Sequence, residues 1–515
     1  MKRTRVVVLA LLAAGILTAA AVLLVGGLGT ASPVRPKELA GNDQEIVWLN
    51  SATSGTSWER FVAAIHHVAR TNPEGRLHVE CANARQSAPV PEVALWMEGV
   101  DGRLWVRWYK TTREMSTAAW VQQLAERPRP PLAIIGGSSS DRARELAVEL
   151  ERQRARFTVP PLFFITQATA DEVNLNPREP RHVKDLMDLY PGRSFRFCFT
   201  NRQMAQAVTN FVRNPPAPSL AAGLCPDSGP VYVVAWRDDP YSMDLRQRFC
   251  DNLSQNDPSS RLPWPAEIAY FEVQHGVGDV NQPNALEIEE GQKLIDKLAQ
   301  HKDQTRPLLF LPATNPPARR FLRGLVRSAP AEAERLVVAT GDAISFNEVY
   351  RDRNFAWPVQ DLPFKLVLFC HRNPVDRAAG FLPEDEAGTD PARCWRVTGT
   401  EDLLLYTDIL ESAVRVAFRP GGLLSSAEEL ARGLRDLRAR VNGGREPRFD
   451  AKGNLRSGAG EYVVYLEPKR GADGRVLPEA TLHVYVRAEG TNRGWAPVGP
   501  PLRLDYRAGA GGNQP

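Results

Sequence analysis

Residues 134–147 read IIGGSSSDRARELA. Two isoleucines run into two glycines and three serines, and Ala143, Leu146, Ala147 and Leu150 then recur at helical spacing. A strand that ends in small residues and passes into a helix N-terminus offers free backbone N–H groups and the positive end of a dipole. That suits a carboxylate or another anion, with serine hydroxyls as further donors. The same residues also make an ordinary strand-to-helix connection in which Ser138, Ser139 or Ser140 caps the helix. Three other chemistries fit less well. A phosphate loop needs a lysine that Gly136–Asp141 lacks, and the dinucleotide pattern GxGxxG is absent. A nucleophile elbow needs a glycine two residues after the serine. Ser139 has none, although His371 and several aspartates follow later in the chain.

Outward from this turn, strand and helix alternate. Upstream, Glu45–Leu49 is a short apolar strand, and Trp58, Val62, Ile65 and Ala69 share one helix face. Leu77–Cys81 is a second strand. Val93–Tyr109 reads as a β-hairpin, because two alternating runs flank Asp101-Gly102. Ala118–Ala125 is helical, and Pro131–Ile135 is the buried strand that enters the turn. Downstream, strands are expected at 162–165, 231–236, 268–273, 308–311, 336–339 and 366–369. Helices are expected at 285–299, 318–328 and 402–418, with another carrying Leu245, Phe249 and Leu253. Ser425–Glu428 reads as a capping box, and from Glu461 the chain turns to strands with Gly/Pro-rich loops. This alternation predicts two parallel sheets, one after the other.

At 515 residues the chain is too long for one core, and its 43% apolar and 24% charged residues are those of an ordinary globular protein. A net charge of +4, spread along the chain, gives nucleic-acid binding no electrostatic basis. Lys2, Arg3 and Arg5 precede an uncharged apolar run, Val6–Leu28. That run exceeds the roughly 7–15 residues of a signal-peptide core and meets the roughly 20 of a membrane span. Residues 1–34 therefore read as a membrane anchor, or as a long cleavable signal with a poor site at Gly29–Ser32. In both cases the remainder is exported. The six cysteines form no CxxC or Cys/His cluster, and Cys225 and Cys250 are among the nearest couples. His66 and His67 are adjacent on a helix and point apart, so no metal site is expected. The adjacent Cys370-His371 pair at a strand end reads as structural.

The order of these motifs resembles the type I periplasmic-binding-protein fold, and most closely the branched-chain amino-acid (Leu/Ile/Val) substrate-binding proteins of ABC transporters. The stretches that carry the resemblance are IIGGSSSDRARELA (134–147), PLFFITQATADE (161–172), FRFCFTNRQMAQAV (195–208) and VYVVAWRDDPYSMDLRQRF (231–249). They are followed by LLFLPATNPPARRFLRGL (308–325), LVVATGDAIS (336–345), EDLLLYTDILESAV (401–414) and PRFDAKGNL (447–455). None is specific alone; the ordered set is.

The resemblance implies two Rossmann-like lobes joined by three crossovers, near Arg196–Gln203, Pro363–Val367 and Pro447–Asp450. Lobe 1 would be 45–200 with 364–446, and lobe 2 would be 201–362 with 447–506, followed by a disordered tail, 507–515. It implies no enzyme activity and no cofactor. A small polar ligand, plausibly an amino acid or small carboxylate, would sit between the lobes and pass to ABC permease or sensor subunits. Ser139, Ser140 and Thr169 would hold its carboxylate, Tyr241 would line the cleft, and Asp342 would meet an ammonium group. The bland alternatives are Ser140 as a cap, Tyr241 as packing and Asp342 as a turn residue. The loop Asn50–Ser57 lacks the longer Gly-rich insertion of transport receptors, and Gln167 stands where a small residue is common. Two other functions stay open: an interaction or sensory ectodomain whose cleft is filled by Gln167, Phe199 or Trp236, and an exported serine hydrolase using Ser139.

Overall fold

The computed structural model describes residues 35–505 apart from 73–74, 176–181, 217–223, 225, 227–228, 255–266, 276–281, 345–362, 375–399, 420–421, 442–443, 457–459 and 489–493. The expected anchor and tail, together with Cys225 and Cys394, lie outside the described residues. Among the described residues, Cys81, Cys198 and Cys250 form no disulfide with one another. Among the described residues no helix is long and apolar enough to cross a membrane.

In β1 (Gln44–Ser51), Ile46 and Trp48 face one side while Val47 and Leu49 face the other, and all four are buried. Such a strand has to lie between two helical layers. It is followed by α1 (Gly55–Thr71), β2 (Leu77–Asn83), β3 (Glu92–Met97) and β4 (Leu104–Thr111). Next come α2 (Thr117–Ala125), β5 (Ala133–Gly136), α3 (Ser140–Arg152), β6 (Leu162–Ile165), the ribbon β7 (Glu172–Asn174) and β8 (Val183–Asp185), and β9 (Ser194–Arg196). The sheet order is β2-β3-β4-β1-β5-β6-β9. β1 runs parallel to β4 and β5, whereas β2, β3 and β4 are antiparallel, as the Asp101-Gly102 hairpin requires.

The helices split between the two faces. Trp58, Phe61, Ile65 and Val68 of α1 pack on the Trp48 side, where Trp48, Trp58 and Trp108 form an aromatic cluster with Phe61. Burying each of these rings contributes about 2–3 kcal/mol. The expected face was displaced: Phe61 and Val68 are buried, while Val62 and Ala69 are half-buried. Trp120, Val121 and Leu124 of α2 and Ala143, Leu146 and Leu150 of α3 pack on the Val47 side. The chain therefore leaves β1 toward one face and leaves both neighbours, β4 and β5, toward the other. That divergence opens a crevice at the C-terminal ends of these strands.

The second half contributes α4 (Asn201–Arg213), β10 (Val231–Trp236), α5 (Pro240–Ser254), β11 (Ile268–Val273), α6 (Ala285–Gln300), β12 (Leu308–Phe310), α7 (Asn315–Ser328), α8 (Pro330–Arg335), β13 (Val337–Ala339) and β14 (Lys365–Cys370). After these come α9 (Thr400–Ala417), the ribbon β15 (Phe418–Arg419) and β16 (Gly422–Leu423), and α10 (Ala427–Asp436). The chain closes with the ribbon β17 (Arg438–Val441) and β18 (Gly444–Pro447), then β19 (Tyr462–Arg470), β20 (Val476–Arg487), β21 (Trp495–Pro497) and β22 (Leu502–Asp505). The second sheet runs β11-β10-β12-β13-β14-β19-β20-β21, with β22 also on β20. It is parallel as far as β14 and antiparallel from there.

Three further expectations need correction. Both sheets are mixed, because the hairpin and the C-terminal strands add antiparallel edges to parallel centres. Lys365–Cys370 is not the start of first-lobe chain: it pairs with β13 and β19 inside the second sheet and is apolar on both faces. The return therefore falls beyond Cys370, and α9 then packs Tyr406 against Phe61 of α1. The α10 cap sits one residue later than expected, with Ser426 accepting from the N–H of Glu429.

Candidate functional site

The opening turn depends on its glycines. Gly137 has φ +71°, and a Cβ there would lie 3.0 Å from Ala143. A Cβ on Gly136 would lie 2.8 Å from Leu146, so small residues let α3 settle on the sheet. Ser139 occupies the N-cap position, yet its hydroxyl donates to Asp141 Oδ1 at 2.5 Å and caps no backbone N–H. Ser140 is buried, and its Oγ accepts from Ala170 N–H at 3.2 Å, tying the turn to the loop after β6. Thr169, in that loop, is fully buried, and its hydroxyl has no hydrogen-bond partner among the described residues. Beside it, the buried Arg196 donates to the carbonyls of Thr169 (3.2 Å) and Ala170 (3.0 Å).

On the opposite lobe, Asp239-Pro240 starts α5, with Asp239 accepting from Tyr241 N–H at 3.0 Å. Tyr241 then points at the end of β13. Its hydroxyl donates to Asp342 Oδ1 at 3.1 Å and accepts from Ala343 N–H at 3.3 Å. Burial, and then the Asp342 carboxylate, hold the phenol well above its usual pKa. Gly341 permits this approach, since a Cβ there would collide with the Tyr241 hydroxyl and come within 2.8 Å of Leu245.

Asp342 Oδ2 lies 2.7 Å from His371 Nε2, and His371 Nδ1 lies 3.1 Å from Phe199 N. A backbone N–H can only donate, so Nδ1 accepts and Nε2 carries the proton that it donates to Asp342. Phe199 lies between β9 and α4 and stacks on the His371 ring. The chain Tyr241–Asp342–His371–Phe199 thus reaches from the second sheet to the segment that follows β9 of the first.

A second bridge starts one turn further along α5. Asp244 accepts from Asp171 N–H (2.8 Å), Glu172 N–H (3.3 Å), Asn201 Nδ2 (2.9 Å) and Arg248 (3.1 Å). Its pKa is pushed up to about 6 by burial and by the Asp171 carboxylate, against the pull of Arg248 and its N–H donors. Asp408 of α9 pairs with Arg372, just beyond β14, and with Arg448, between β18 and β19. Those two cations outweigh burial and lower the Asp408 pKa.

The structure therefore brings Tyr241 and Asp342 into direct contact and links Ser140 to the loop of Thr169, while Ser139 is engaged with Asp141. Asp244, Asn201, His371, Arg196 and Asp408 were missed in the sequence. His371 had a usable signal, because it ends the strand next to the one that Asp342 follows. Trp236 fills no cleft: its Nε1 donates to Glu287 at 3.2 Å and its ring packs on Phe321. The Ser139–His371 pairing that a hydrolase needs does not form, since both imidazole nitrogens face Asp342 and Phe199.

No protein-family model matches the chain, and no curated protein does. Solved structures do. An ABC transporter substrate-binding protein from Desulfitobacterium hafniense aligns over 84% of this chain and 99% of its own, at 16% identity and a TM-score of 0.50. A solute-binding protein of an R. palustris ABC transporter, in complex with 4-hydroxybenzoate, aligns over 84% and 95% at 10% identity and TM-score 0.51. Its counterpart from Rhodopseudomonas palustris HaA2, in complex with p-hydroxybenzoic acid, aligns over 84% and 96% at 9% identity and 0.51. At such identities the likeness speaks for the fold. The chain has the α/β fold of the ABC-transporter solute-binding proteins, the type I periplasmic-binding fold that its ordered motifs resemble.

Proposed function

We propose that this chain is an exported solute-binding protein, anchored through residues 1–34, that holds a small polar ligand between its lobes for ABC-type uptake or sensing and performs no chemistry. On this reading lobe 1 comprises about 45–200 with 400–436, and lobe 2 about 201–370 with 462–505. The observation that carries it is the Thr169 hydroxyl, fully buried and without a hydrogen-bond partner among the described residues. Such a group is costly unless something bonds to it, and Thr169 stands where the resemblance puts a ligand carboxylate. Arg196 behind its loop favours an anionic group. The solute-binding proteins of like fold that hold 4-hydroxybenzoate make aromatic carboxylates reasonable candidates beside amino acids. Ser139, Ser140, Tyr241 and Asp342 complete the proposed site. Asp342 and Tyr241 are hydrogen-bonded to each other and would exchange that bond for ligand contacts.

That self-satisfied chain also favours a second reading, an interaction or sensory ectodomain whose cleft is held shut. A thermal-shift screen of the purified full chain against amino acids and small carboxylates separates the two. Hits weakened by Asp342→Ala support solute binding. A screen with no hit, or with hits indifferent to both Asp342→Ala and Thr169→Val, favours the closed ectodomain.

A further inference from the structure

We infer that a charged clasp centred on Arg248 holds the two lobes together and takes up a proton as it closes, so that closure is favoured in mild acid; this rests on the two-lobe, solute-binding reading. The guanidinium of Arg248, on α5 of lobe 2, lies within ion-pair reach of four carboxylates. Asp244 (3.1 Å) and Asp251 (3.7 Å) belong to its own helix, whereas Glu172 (3.3 Å) and Asp171 (3.6 Å) belong to lobe 1, where the chain enters β7. The Asp244 carboxylate adds direct bonds across the same boundary, because it accepts the backbone N–H groups of Asp171 and Glu172. In return, the Asp171 carboxylate accepts the N–H of Arg202, on α4, at 2.7 Å. Asp171, Asp244 and Arg248 are largely enclosed, while Glu172 and Asp251 stand at the solvent edge.

The charges in this clasp do not balance. Four carboxylates meet Arg248, and Arg202 adds a second cation beside Asp171, at 3.8 Å. Asn201 Nδ2 gives Asp244 a neutral bond at 2.9 Å. Carboxylates drawn from both lobes repel when the lobes meet, and burial removes the water that would screen them. One proton relieves the repulsion, and Asp244 is where it goes: burial and then the Asp171 carboxylate raise its pKa to about 6. When the lobes part, Asp244 meets water and returns toward its ordinary 3.8. The closed form therefore binds the proton more tightly, so closure is favoured below about pH 6 and weakens as pH rises through that value. Between pH 7 and pH 5 the ratio of closed to open molecules should rise about tenfold.

The test is single-molecule energy transfer in the full chain, with dyes carried at Val148 of α3 and Ile288 of α6, which are exposed on lobe 1 and lobe 2. The wild type is expected to shift toward the shorter, closed distance from pH 7 to pH 5, with about a tenfold change in the closed-to-open ratio. Asp244→Asn is neutral at both pH values and should abolish most of that response. Arg248→Gln leaves the four carboxylates to repel one another and should move the ratio toward open at pH 7. Unfolding temperatures identify folded variants, and the near-isosteric Asp244→Asn carries the test if Arg248→Gln does not fold. A wild-type distribution that is the same at both pH values overturns the inference, as does a response that survives Asp244→Asn. A pH response in a chain that binds no small solute keeps the clasp and overturns the solute-binding reading. Solute binding without a pH response does the reverse.

Discussion

The carboxylate of Asp244, on the second lobe, accepts the backbone N–H of Asp171, on the first, at 2.8 Å. This contact ties α5 to the loop of Thr169 and holds an ionisable group in a buried position between the lobes. Because the folded pKa of about 6 lies above the ordinary 3.8, folding binds the proton more tightly than the unfolded chain does. The resulting stability is complete below about pH 4 and is lost as pH rises through about 6, an effect of roughly 2–3 kcal/mol. Urea unfolding from pH 3.5 to 7 should show the wild type losing that much relative to Asp244→Asn. A difference constant with pH contradicts the assignment. Near neutral pH the ionised carboxylate is held at a cost, which hinge opening would release.

Asp408 titrates with the opposite sign. Its pKa is lowered, so the stability it confers is present above about pH 4 and is lost as pH falls through the depressed folded value. Asp408→Asn leaves Arg372 and Arg448 facing each other, with a cost of about 2–4 kcal/mol at pH 7. Comparing denaturation midpoints at pH 7 and pH 3 should show the variant's deficit shrinking in acid.

Gly341→Ala should push Tyr241 from Asp342, because the added methyl group collides with the phenol oxygen and Leu245. The expected loss is about 1–3 kcal/mol. Tyr241→Phe removes only the hydroxyl, so Gly341→Ala should cost less in a Tyr241→Phe background. Strict additivity of the two changes would contradict the contact.

Most of the fold was legible because its signals are local. The continuous apolar run of β1 and the 3.6-residue spacing of Ala143, Leu146, Ala147 and Leu150 each specify an element without help from distant residues. The division into lobes was less legible at β14, where the same apolar run suits either sheet and only the pairing of Leu366–Cys370 with β19 decides it. Of the candidate residues, Tyr241 and Asp342 meet, 101 positions apart, but His371, with Phe199 behind it, takes the other side of Asp342, and only the strand-end position of His371 hinted at that. Such partners are set by the ends of strands that become neighbours only in the folded sheet, and no short-range pattern records them. Asp244 and Asp408 were missed for a related reason: each is an acidic residue on an amphipathic helix, indistinguishable from a solvated one until the opposite lobe is in place.

The most direct measurement of the central claim is calorimetric titration of the full chain and its Thr169→Val variant with the solutes that raise its unfolding temperature. Thr169→Val removes a buried hydroxyl that has no partner among the described residues, so the variant should be as stable as the wild type or up to about 1 kcal/mol more stable. The account predicts saturable one-to-one binding to the wild type and a loss of about tenfold or more in the variant. Undiminished binding by Thr169→Val, or the absence of binding heat for any small solute, would contradict it.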